Sequence, residues 1–163
     1  MKNTFLVGMF LLRCMIGFAQ PTPVAHSAPL SEVKGNVMGM PYSQYKQKHP
    51  ADCQFDHESC IGSTTIAGVA ADTSAIFFHG RLMSLSYRIA GWEDPQVLED
   101  LKRKYGPPTE STSKIVKWHD DTTTLTFSRF SRYTEIDFLC DELWKQHVSA
   151  NSALKSKMRK NDL

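Results

Sequence analysis

The sequence has none of the short motifs that announce common enzyme chemistry. No Gly-x-Ser-x-Gly turn presents a serine nucleophile, so Ser84 and Ser86 read as the polar face of a strand. A glycine-rich phosphate loop and a dinucleotide fingerprint are also missing, which leaves no basis for a nucleotide cofactor, and no other cofactor is expected. There is no C-x2-C knuckle of the kind that structural zinc sites use. The apolar run Phe5–Leu12 is eight residues long, too short to span a bilayer as a helix, so the mature chain is expected to have no transmembrane segment.

An excess of charge is missing too, once the N-terminus is considered. Residues 1–19, MKNTFLVGMFLLRCMIGFA, have Lys2 at the start, the apolar run, and Gly17 and Ala19 at the −3 and −1 positions before Gln20. That is the layout of a secretory signal peptide, although Arg13 interrupts the apolar region. Leu12 and Arg13 before Cys14 do not form a lipoprotein cleavage box, so no lipid anchor is expected. Without Lys2 and Arg13, seventeen bases face seventeen acids. A neutral body lacks the basic face that displaces counterions, so nucleic acid is not an expected partner. The expected location is periplasmic or secreted.

Residues 20–31, QPTPVAHSAPLS, carry three prolines and little bulk, as a flexible linker does. Residues 32–150 suit one α+β domain with one core. Residues 151–163 form a basic tail in which Lys155, Lys157, Arg159 and Lys160 face only Asp162.

Three cysteines lie beyond the leader. Cys53 and Cys60 make the obvious disulfide in an oxidising compartment, with six residues between them. Cys140, after Phe138 and Leu139, reads as a small buried hydrophobe, and its pairing with Cys53 or Cys60 stays open. A sharper alternative uses Cys53, His57, Cys60 and Cys140 as zinc ligands, or Cys53, His57 and Cys60 as a thiol or metal-dependent active site. His119-Asp120-Asp121 is the densest polar cluster and reads as a turn, with cation binding or acid–base work as the functional alternative.

The hydrophobic pattern gives the fold expectation. Asp94-Pro95 opens and Gly106-Pro107 closes a helix over about 95–105, with Val97, Leu98 and Leu101 as its apolar stripe. A weaker copy starts at Tyr42, 56 residues before Leu98, and stops at His49-Pro50. Met83, Leu85, Tyr87 and Ile89 alternate with polar residues after a His79-Gly80 turn, and Val116, Trp118, Leu125 and Phe127 do so around His119–Asp121. A further strand covers Tyr133–Phe138, and the residues after Cys140 suit a C-terminal helix of about fifteen residues. The expectation is an antiparallel sheet with helices on one face, built from two helix–hairpin repeats plus a C-terminal helix. Phe77, Tyr87, Trp118 and Trp144 are candidate interface rings, with core residence as the ordinary fate of such residues.

Gly39-Met40-Pro41 before a helix, Phe78-His79-Gly80-Arg81-Leu82 at a hairpin, and Lys104-Tyr105-Gly106-Pro107 at a helix end give the chain a resemblance. From about Val33 to Leu139 it is similar to the duplicated helix-plus-hairpin module of the β-lactamase-inhibitory-protein fold and of small lipoproteins of the outer-membrane assembly machinery. It departs from the latter in having no lipobox, and no inhibitor-type binding residues transfer. The resemblance implies a non-catalytic module that binds an envelope or extracellular protein; the alternative is a secreted enzyme at Cys53, His57 and Cys60.

Overall fold

The computed structural model describes residues 28–53, 58–91 and 94–161. The expected leader, most of the linker and His57 lie outside them. Residues 28–31 run along the body: the amide of Ala28 donates to the Lys104 carbonyl, and Leu30 is buried.

The chain begins with a ribbon of two short strands, β1 (Glu32–Val33) and β2 (Asn36–Val37). Lys34 and Gly35 both adopt positive φ in its turn, the geometry that a tight antiparallel hairpin requires. Helix α1 (Tyr42–Lys48) follows, then the strands β3 (Ser59–Ile66), β4 (Val69–Phe78) and β5 (Arg81–Ala90). Next come α2 (Asp94–Tyr105), β6 (Glu110–Ser111), β7 (Ile115–His119), β8 (Thr123–Arg129), β9 (Tyr133–Cys140) and α3 (Asp141–Asn161).

Two helix–hairpin repeats are not what forms. Among the described residues the fold is mostly antiparallel sheet: seven strands in the order β3-β4-β5-β9-β8-β7-β6, plus the ribbon, with three helices. Between α1 and α2 lies a three-stranded meander rather than a hairpin, because Ser59–Ile66 forms a full-length strand. Its neighbour β4 begins at Val69, well before Ala75. The two meanders join through their last strands, β5 and β9, whose bulky residues Leu85, Tyr87, Ile136 and Phe138 face the same side.

α1 and α2 share one face of the sheet, and α3 does not join them. α1 and α2 cover the side that carries Leu85, Tyr87, Ile89, Leu125, Phe127, Ile136 and Phe138, and the core lies between them and the sheet. Tyr45 of α1 meets the Phe77 ring at 5.4 Å, and Tyr105 of α2 meets Phe138 at 6.0 Å. α3 instead leaves β9 toward the opposite side. Thr124, on that side of β8, donates to Asp141 at 2.9 Å, and the His147 ring meets Phe78 edge-on at 5.1 Å. A register shift beside Phe77 leaves Met83 unpaired in the ladder and turns this corner of the sheet toward α3. α3 runs 21 residues, through position 150 and on to Asn161.

Candidate binding surfaces

Cys53 and Cys60 form a disulfide with a Cα–Cα distance of 4.4 Å, and both are buried. The bond takes both sulfurs out of the thiolate form that a zinc ligand or nucleophile needs, and His57 of that alternative lies outside the described residues. Cys140 is a free, half-buried thiol packed against the core. The His119–Asp121 cluster serves a turn. Asp120 accepts from the amides of Thr122 and Thr123 at 2.9 and 2.8 Å and from the amide of Leu30 at 3.2 Å. Burial works against its ionisation, but those hydrogen bonds together outweigh it and hold the carboxyl below its usual range.

Of the candidate interface rings, Phe77, Tyr87 and Trp118 are only 5%, 2% and 2% exposed, on the helix-covered side. They are core residues and not docking anchors. The Trp118 indole donates to the Gly106 carbonyl at 2.9 Å, which ties β7 to the end of α2. Alternation along a strand groups these rings on one face; it does not say which face the helices cover. Trp144, at 44% exposure on α3, is the ring that faces solvent.

The other side of the sheet is largely uncovered. The strand register lines up its residues in rows. One runs Ile61, Ser74, Ser86, Asp137, Thr126, Lys117 from β3 to β7, and the next runs Ser63, Asp72, Arg88, Glu135, Ser128, Ile115. Most of these side chains are short, so ordering them against a partner costs little conformational entropy. Arg88 bridges to Glu135 at 3.2 Å and lies over the Tyr133 ring at 4.6 Å.

Asp137 sits in the middle of this surface. Burial raises its pKa above the usual carboxylate value, opposed by a hydrogen bond from Ser86, with Glu135 adding to the rise and Arg88 opposing it. A carboxyl whose folded pKa is raised carries no penalty below its unfolded value of 3.8 and loses stability as pH rises through the folded pKa. Asp137→Asn keeps an acceptor for Ser86 and removes the charge. We expect its melting temperature to exceed that of the unmodified protein at pH 7, with the difference closing as the pH falls through the folded pKa toward about 4, as measured by thermal melts across pH.

No protein-family model, curated protein or solved structure matches this chain. α3 stands at one end of the open face, and together they make an angled surface. A groove of about 560 Å³ lies beside α3 at the turn between β4 and β5, lined by Ile76, Phe78, Met83 and His147 and also by Tyr42 and Glu58. Trp144 and Val148 are each 44% exposed and Leu154 is 58% exposed along the same helix. Single exposed apolar residues are ordinary; here three lie along one helix beside a groove of mixed polar and apolar lining.

A second concavity lies on the helix-covered side, under the ribbon. Its polar half gathers Asn36, Tyr45, His49, Asp52 and Thr73 around Tyr87. The His49 ring meets the Asn36 side-chain oxygen at 3.0 Å and lies 3.8 Å from the Asp52 carboxylate. Burial, and then the Asp52 charge, push the Tyr45 hydroxyl up to about 12. Tyr87 is raised as well, by burial and then by the neighbouring Tyr45 and Tyr105 hydroxyls. Gly62 makes room for this arrangement: a Cβ there would lie 2.2 Å from the Asp52 carboxyl carbon. The ribbon is clamped above it. Lys34 donates to Thr64 Oγ1 at 2.7 Å and to the Thr65 carbonyl at 2.6 Å, and Lys48 donates to the Gly35 carbonyl.

Proposed function

We propose that this is an exported, non-catalytic protein-binding module of the cell envelope, of inhibitor or assembly-accessory type, that docks its partner in the angle between α3 and the open sheet face. The observation that carries the reading is that angle: an uncovered face of mostly short side chains, a groove beside it, and Trp144 exposed on the projecting helix. Tryptophan in such a setting is the residue type most often found to dominate a protein interface. The disulfide and the signal-peptide layout of residues 1–19 support export. Among the described residues no helix is long and apolar enough to cross a membrane.

Affinity capture of the mature protein from its own envelope extract tests this, with Trp144→Ala run in parallel. The expected result is a specific protein held by the unmodified chain and bound at least about thirtyfold more weakly by the variant, the loss typical of a hot-spot ring. Recovery of the same proteins by both chains in equal yield, or of none by either, overturns the reading. Because Trp144 is exposed, the variant is expected to melt with the unmodified protein.

A further inference from the structure

The ribbon-covered concavity has an apolar half that docking on the opposite face does not use. It is a half-open pocket of about 210 Å³ between α2 and the sheet, with Ile66 on its accessible wall, the buried Val97, Leu101, Ile136 and Phe138 at its base, and Tyr87 between it and the polar half. At its edge stand Lys34 and Lys104, with Asp100 as the acidic group among its lining residues. Asp100 is already engaged by Arg103 and by Gln96 at 3.0 Å. Lys34 spends two of its three N–H donors on Thr64 and Thr65, which leaves one. Lys104 extends over the Tyr105 ring, 4.8 Å from its centroid. The cavity is thus apolar within and positive at the edge. At roughly 30 Å³ per water-sized group it holds about seven carbons.

We propose that this cavity binds the tail of a medium-chain fatty carboxylate, with the carboxylate held at the edge by Lys34 and Lys104. The chain lies against Ile66 and Ala67, over the closed base that Val97, Leu101 and Phe138 form. The head group meets two ammonium groups, one of them already fixed in place by its bonds to β3.

Calorimetric titration of the full mature chain with straight-chain carboxylates from four to ten carbons tests the proposal, with 1-octanol as the uncharged control and Lys104→Glu as the variant. Affinity is expected to rise about fourfold per methylene. The rise should stop near eight carbons, where the cavity is full. Octanoate should bind about fivefold more tightly than octanol, and Lys104→Glu should weaken octanoate about tenfold while leaving octanol unchanged. Lys104 is exposed, so the variant should melt with the unmodified protein. No octanoate binding at millimolar concentration overturns the proposal. So does a rise that continues unbroken past eight carbons, which marks adsorption to the outer surface, and so does equal octanoate binding by the variant.

Discussion

Phe138→Ala is expected to be the most damaging single substitution, lowering stability by about 4 kcal/mol, within the range for truncating a buried aromatic ring. Phe138 is fully enclosed on β9, the strand through which the two halves of the sheet join by way of β5. Its ring meets Tyr87 at 6.3 Å and Tyr105 at 6.0 Å, so one side chain contacts both the partner strand and α2. It also forms part of a cavity wall, and the atoms removed would enlarge a void that the surrounding rings are too constrained to fill. Urea denaturation should show a lower midpoint with an unchanged slope. A loss below about 1.5 kcal/mol, the range of a tolerated volume change, would show that the core does not depend on the β5–β9 junction.

The second large effect is expected from the double substitution Cys53→Ser/Cys60→Ser. The disulfide closes a loop with a sequence separation of 7, for which the chain-entropy relation gives about 2.5 kcal/mol. In a domain of this size that corresponds to a fall of roughly 8–15 °C in melting temperature. The loss is also local. The amide of Ile61 donates to the Asp52 carbonyl at 2.9 Å, and the Asp52 side chain fills the space above Gly62. The bridge therefore holds Asp52 beside His49 as well as holding β3 to the segment after α1. Thermal melts of the oxidised protein, the reduced protein and the double variant check this, and the last two should agree. A double variant that melts with the oxidised protein would show that packing of β3 alone fixes the loop.

How much was legible in the sequence depends on side-chain size. α2 could be read because its stop residues and apolar stripe are local signals, and Asp94–Tyr105 forms where they place it. The Cys53–Cys60 pair could be read from spacing and compartment. The strands β5, β7, β8 and β9 announce themselves by large apolar residues at every second position. β3 and the first half of β4 do not. Their inward positions include Gly62, Thr64, Ala71, Thr73 and Ala75, too small to stand out as a hydrophobic period. Ala67-Gly68, where both residues take positive φ, was the turn signal that marks this hairpin. The cluster of Asn36, Tyr45, His49 and Asp52 left no mark either, because its members come from the ribbon, α1 and the segment after it, and meet only through the fold.

By itself the sequence determined the ends of α2, the His79-Gly80 turn, the disulfide and the α+β character, because each is set mainly by residues close together in the chain. The tertiary structure alone decided that the two meanders join through β5 and β9, that α3 stands on the side opposite α1 and α2, and therefore that Trp144 meets solvent while Tyr87 and Trp118 do not. The reason is that strand alternation defines two faces without labelling them. Which face becomes the core is a choice made collectively, by the burial of side chains far apart in the chain.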